Sequence, residues 1–183
     1  FLFFTILKSA SNLFNVSSNS LYLSFGTFNK EGNNKKLIEA VELLWDMGYV
    51  IIAAAGNNGP EYGTVSIPGS SKKIITVGAL DDNIKMIVNG RITKNYSGRG
   101  PTKECVQKPD ILAPANGIYS CSNGIKSGYS YVPKSGTSMA TPFVTGSAAL
   151  MMEWGIVRGN DPYLYGEKIK AYLIRGAKHL PGY

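Results

Sequence analysis

The residues best suited to chemistry in this chain lie in the run Lys134–Leu150, KSGTSMATPFVTGSAAL, where Ser138 stands among small residues at the entry to a helix-forming segment. A helix entrance suits a serine nucleophile. First-turn N–H groups have no helical acceptor, and the positive end of the helix dipole faces the same way. In acyl transfer, negative charge develops on the carbonyl oxygen under attack, and such donors oppose it. The same serine could also serve as an ordinary N-cap. Pro142 is expected to fall early enough in the helix to break no hydrogen bond, and Gly146, Ala148 and Ala149 allow close packing. A second donor is offered by Asn57, in Ala55-Gly56-Asn57-Asn58-Gly59 after an apolar run ending at Ala54. Its side-chain amide can donate, although Gly-Asn-Asn-Gly also suits a plain turn.

The elements that must position these two residues read as an alternation of strands and helices. Leu21–Phe25, Tyr49–Ala54 and Ile74–Val77 are short continuous apolar runs bounded by turn residues, the pattern of buried strands. Between the first two, Leu37, Ile38, Val41, Leu44 and Trp45 share one helical face, with Asn33 or Asn34 before it and Gly48 after it as caps. Strand, helix and strand with short connections imply a right-handed crossover and parallel pairing, and continuous apolar strands imply cover on both faces. The expected class is α/β, a doubly wound and mainly parallel sheet with helices on both faces. Phe1–Phe14 reads as a helix, Asn89-Gly90 as a hairpin turn, Asp110–Leu112 as a further short strand, and Tyr165–Arg175 as a last helix stopped by Gly176.

A length of 183 residues suits one domain, and 44% apolar residues supply a core. The net charge of +7 comes from dispersed lysines and arginines with no block of like charges, which argues for a solvated surface and against a nucleic-acid partner. Cys105 and Cys121 make neither a disulfide framework nor a zinc site. The apolar run Phe1–Leu7 stops at Lys8, far short of the roughly 18–20 residues of a membrane span. Its abrupt start reads as the middle of a helix, so a fragment or processed product is expected.

Gly136-Thr137-Ser138-Met139-Ala140-Thr141-Pro142 resembles the serine motif of the subtilisin-like peptidases, the subtilases. The family's usual His-Val-Ala-Gly continuation reads Phe143-Val144-Thr145-Gly146 here, a departure that touches no catalytic position. Ala53-Ala54-Ala55-Gly56-Asn57 is similar to the subtilase segment carrying the oxyanion asparagine, and Tyr96–Thr102 and Lys108–Pro114 are similar to the run between sheet and serine motif. The tail from Met151 to Gly182 resembles clostridial subtilases of the Csp group. The resemblance implies a partial subtilisin-like fold, with residues 1–183 as the C-terminal portion of one peptidase domain. It also implies peptide-bond hydrolysis through an acyl-enzyme on Ser138, with Asn57 and the Ser138 N–H as oxyanion donors. Substrate would lie between Ser24-Phe25-Gly26 and Ala54-Ala55-Gly56, both offering backbone to pair with it, above Ser66 as pocket floor. No charged residue is expected to select a basic or acidic side chain, which implies an apolar or permissive preference. Ile67-Pro68 matches a position where the peptide bond is cis. Calcium binding is common in the family, but no acidic cluster here has convincing ligand spacing. No other cofactor is implied, and a secreted or spore-associated location is.

Subtilases run Asp, His, Ser along the chain, and neither the Asp nor the His motif occurs among these residues. The single histidine, His179, lies after Ser138. The order Ser138, Asp161, His179 imitates the α/β-hydrolases, but their Gly-x-Ser-x-Gly elbow is broken by Ala140. Asp110 aligns with a structural aspartate of the family rather than a catalytic one. The isolated chain is therefore expected to be inactive, with the missing N-terminal part of its own domain as a partner and self-association through exposed apolar surface. The competing reading is a pseudopeptidase, a scaffold that binds peptides and regulates without hydrolysis.

Overall fold

The computed structural model describes residues 4–6, 20–23, 33–88, 90–122 and 131–180. Its centre is a five-stranded sheet in the order β1-β2-β3-β4-β7, built from Phe4–Ile6, Ser20–Leu23, Val50–Ala54, Ile75–Ala79 and Ile111–Ala113. The last four strands pair in parallel and β1 lies antiparallel on the β2 edge. Every residue of β3 and β4 is buried, so both faces of the sheet are covered, as continuous apolar strands require.

Among the described residues, three helices cover it. α1 (Asn33–Asp46) supplies Val41 and Trp45 to the core, α2 (Thr137–Met152) supplies Ala140, Val144, Ala148 and Met152, and α3 (Gly166–Gly176) supplies Ile169. α1 ends as its glycine predicts. Gly48 has φ +92, its N–H reaches the Trp45 carbonyl at 2.9 Å, and the Tyr49 N–H reaches Leu44 at 3.1 Å, the paired bonds of a Schellman cap. The Trp45 Nε1–H donates to Glu167 at 2.6 Å, and a Cβ on Gly166 would sit 2.8 Å from the indole ring, so α1 and α3 interlock closely.

Below the sheet, at the N-terminal ends of β4 and β7, two lysines converge on one aspartate. Lys108 Nζ donates to Asp110 at 2.6 Å and to the Ile74 carbonyl at 2.8 Å, while Lys170 Nζ reaches the other Asp110 oxygen at 3.1 Å. Asp110 also accepts from the Thr76 N–H at 2.7 Å, which makes it the structural hydrogen bonder its sequence context implied. Burial lowers the Lys108 pKa to about 8, against the opposing pull of Asp110.

Two hairpins stand outside the sheet. β5 (Met86–Val88) and β6 (Arg91–Thr93) join through the predicted turn, with Gly90 at φ +77. β8 (Ile118–Cys121) pairs with β9 (Tyr131–Lys134), a hairpin the sequence did not announce. Two expectations need correction. Of the predicted helix Phe1–Phe14 only 4–6 is described, and it is strand, because a largely apolar tripeptide meets the open hydrogen-bonding edge of β2. Pro142 is the sixth residue of α2, past the turn where a missing N–H costs nothing, so it removes the bond that would end on the Ser138 carbonyl. α2 continues into a π-helical turn, Glu153–Val157.

Candidate active site

Ser138 and Asn57 meet above the C-terminal ends of the parallel strands, where open α/β sheets bind ligands. β3 delivers Asn57 three residues after Ala54, and α2 begins at Thr137. The contact between the two is specific. The Asn57 Oδ1 accepts from the Thr137 N–H at 3.0 Å and from the Thr137 hydroxyl at 3.0 Å. With its oxygen so engaged, the carboxamide can turn only its Nδ2 donors outward. Gly136 makes room for this group: its φ is +140, and a Cβ built there would lie 3.2 Å from Asn57 Nδ2.

The loop before α2 is pinned from several sides. The Gly136 N–H donates to the Ala115 carbonyl at 3.0 Å, and the Gly117 N–H to Ser135 Oγ at 3.0 Å. The Asp81 carboxylate accepts from the Ala115 and Asn116 N–H groups. Tyr96 donates its hydroxyl to Asn116 Oδ1 at 2.6 Å. Burial first, then the charges of Asp81 and Asp82, push its phenol well above the usual range, so it remains a donor.

Ala54, Ala55 and Gly56 form a packed wall beside Asn57. The Ala55 N–H bonds to Val77 at 2.8 Å and its carbonyl accepts from Ser66 at 2.8 Å. The Gly56 N–H donates to Thr137 Oγ1 at 3.2 Å and its carbonyl accepts from Gly98 at 2.8 Å. Both residues thus spend their backbone groups internally. The expectation that this whole segment pairs with substrate as an added strand is corrected at Ala55 and Gly56. Ser66 is buried directly behind Gly56: a Cβ there would lie 1.9 Å from Ser66 Oγ, and the φ of +90 separately requires glycine. Ile67-Pro68 is cis. The expected partner segment Ser24-Phe25-Gly26 lies outside the described residues.

Asn57 and Ser138 line one open cleft of about 760 Å³, together with Met139, Ser135 and parts of both hairpins. No histidine or carboxylate is among its described lining residues. His179 is exposed beyond the end of α3, and Asp161 pairs with Lys168 at 2.6 Å, so the α/β-hydrolase order does not assemble around Ser138. Among the described residues there is no group of three or more His, Cys, Asp or Glu side chains placed for a metal. Cys105 and Cys121 are exposed free thiols. Among the described residues no helix is long and apolar enough to cross a membrane. Sequence reasoning missed Thr137, which orients Asn57, and the hairpin residues of the cleft. Thr137 was visible beside Ser138, but nothing local disclosed its distant partner.

A serine at a helix entrance beside an amide donor can oppose the charge that develops on a carbonyl oxygen in acyl transfer. The subtilase family model matches residues 7–182, and the chain belongs to that family. Serine protease AprX of Bacillus subtilis is 40% identical over 150 residues, covering 76% of this chain and 33% of the relative. Among solved structures, the CspB protease of Clostridium perfringens is 42% identical, with a TM-score of 0.54 over 68% of this chain and 25% of that one. Sphericase is 32% identical, with a TM-score of 0.60 over 84% and 46%. The chain therefore spans a third of AprX and just under half of sphericase.

Proposed function

We propose that the protein to which this chain belongs is a serine endopeptidase that cleaves polypeptides through an acyl-enzyme on Ser138 Oγ, and that residues 1–183 are the C-terminal portion of its catalytic domain. One observation carries the reading: Thr137 fixes the Asn57 amide oxygen at 3.0 Å, aiming its N–H donors into the cleft that Ser138 lines. In the reaction, Ser138 Oγ bonds to the scissile carbonyl carbon. The carbonyl oxygen becomes an oxyanion held by Asn57 Nδ2 and the Ser138 N–H. Collapse of that intermediate breaks the C–N bond, releases the amine and leaves the ester, which water hydrolyses.

The hydroxyl proton needs a base, and the described cleft residues provide none. The histidine and its aspartate come from the rest of the protein, and the isolated 183-residue chain is inactive. Ala54 and Ser66 belong to the wall and floor that receive the side chain before the scissile bond, with Ser24, Phe25 and Gly26 opposite. A location outside the cell or at the spore accords with the likeness to the Csp group, and fractionation of the producing cells tests it.

A fluorophosphonate applied to the intact protein should label Ser138, and Ser138→Ala should abolish labelling and cleavage together. Asn57→Ala should lower kcat on the order of 10²–10³, the size measured for such a donor in subtilisin, a relative. Retained peptide binding with neither labelling nor cleavage would hand the protein to the pseudopeptidase reading.

A further inference from the structure

The cleft beside Ser138 extends away from the packed wall. It shares Asn57 and Ser138 with the oxyanion site, but Ala54, Ala55, Gly56 and Ser66 are not among its lining residues. A peptide whose acyl side rests on that wall must cross Ser138 and enter this cleft with the residues C-terminal to the scissile bond. The direction rests on the proposed role of Ser138 as nucleophile.

The two hairpins give this leaving-group side its own chemistry. Lys85, just before β5, and Ile87, within it, both line the cleft. Ile92 lies directly opposite Ile87 in the hairpin; among the described residues the two are 75% and 69% exposed, an apolar pair at the surface. Across the cleft, β9 contributes Pro133 and Lys134, and Pro133 pairs with Tyr119, itself 73% exposed. Two ammonium groups therefore flank the path. Among the described residues neither has a salt-bridge partner, whereas other surface lysines, such as Lys73 and Lys168, do. The neighbouring carboxylates are committed elsewhere: Asp81 to the Ala115 and Asn116 N–H groups, and Asp82 to the Ser97 N–H.

We infer that this cleft selects substrates by their residues on the leaving-group side of the cleaved bond: an acidic side chain drawn between Lys85 and Lys134, with an apolar neighbour against Ile87 and Pro133. Charge complementarity is the argument, since the described lining residues of the groove include two cations and no anion. The preference expected from the sequence, apolar or permissive, concerned the other side of the scissile bond and is untouched by this.

Internally quenched peptides identical up to the scissile bond, and carrying Glu, Gln or Lys at each of the next three positions, test the inference on the intact protein. Glu should exceed Lys in kcat/KM at one of those positions. The exposed setting limits each lysine to a factor of up to about 5. Lys85→Glu and Lys134→Glu should each shrink the preference, the double variant should reverse it, and 1 M salt should flatten it. The reading is the ratio of kcat/KM for Glu and Lys peptides within each variant, from which any loss of folded protein cancels. Cleavage that depends on Ser138 but shows no acid preference, or a preference unmoved by both substitutions, would overturn this inference alone. Cleavage surviving Ser138→Ala, or no cleavage of any peptide, would overturn the nucleophile and this inference with it.

Discussion

At the residue scale the candidate site depends on Thr137 as much as on Ser138 and Asn57, the two residues to which we assign the chemistry. Its hydroxyl donates to Asn57 Oδ1 and accepts from the Gly56 N–H, so one oxygen ties the donor to the wall beside it. Thr137→Val keeps the shape and the backbone bond but removes that oxygen. The expected result is a fall in kcat of about 10-fold with KM little changed, because a loosened amide loses its aim on the oxyanion while ground-state contacts persist. Steady-state kinetics on the intact protein reads this directly. Lys108 gives a prediction of the opposite kind, remote from the site and concerned with stability. Its folded pKa of about 8 lies below the ordinary 10.5, so between those values the unfolded chain holds a proton that the folded one has released. Stability contributed by Lys108 therefore rises with pH across that window and is constant below it. Lys108→Met should destabilise by about 3 kcal/mol at neutral pH by stripping Asp110 of a buried partner, with Lys170 limiting the loss. The gap to the unmutated protein should widen from pH 8 to 10.5 in denaturant titrations.

At the scale of elements, much of the fold was legible. β3, β4 and β7 lie within a residue or two of the runs that announced them, because strands buried on both faces are continuously apolar. α1 was marked by its one apolar face and by Gly48, and α3 by Gly176, which is its last residue. The β8–β9 hairpin was not legible, since most of its residues are exposed and leave no alternating pattern. The first strand failed for another reason: Phe4–Ile6 is apolar enough for either structure, and the free edge of β2 decides. Site legibility divides in the same way. Ser138 and Asn57 sit in contiguous motifs, whereas the cleft draws Lys85, Ile87, Pro133 and Lys134 from separate hairpins that only the folded topology brings together. The α1–α3 joint also carries a test. Trp45→Phe removes the indole N–H that reaches Glu167 at 2.6 Å and empties part of the buried ring's volume, and should cost about 1–3 kcal/mol in unfolding free energy.

At the scale of the molecule, α2 is apolar on both sides. Its inner face carries Ala140, Val144 and Ala148 into the core, and its outer face shows Phe143 at 46% exposure and Leu150 at 72%, continued by Trp154 at 49%. A helix apolar all round belongs in an interior. The outer face is where we expect the remainder of the domain to pack, and in its absence a second copy. Sedimentation of the isolated chain should show self-association, and Leu150→Glu should shift it toward monomer; a monomeric unmutated chain would remove the expectation.

The bond between Thr137 and Asn57 joins residues 80 apart in sequence. No local segment of the chain can form it, and closing so long a loop is entropically slow until the sheet and α2 have already docked. The competent geometry is thus among the last things made as the chain folds and among the first undone as it opens. A reagent that reacts only with an activated Ser138 would then track the maturation of nascent protein, lagging behind probes of compactness by the time the helix needs to find the sheet.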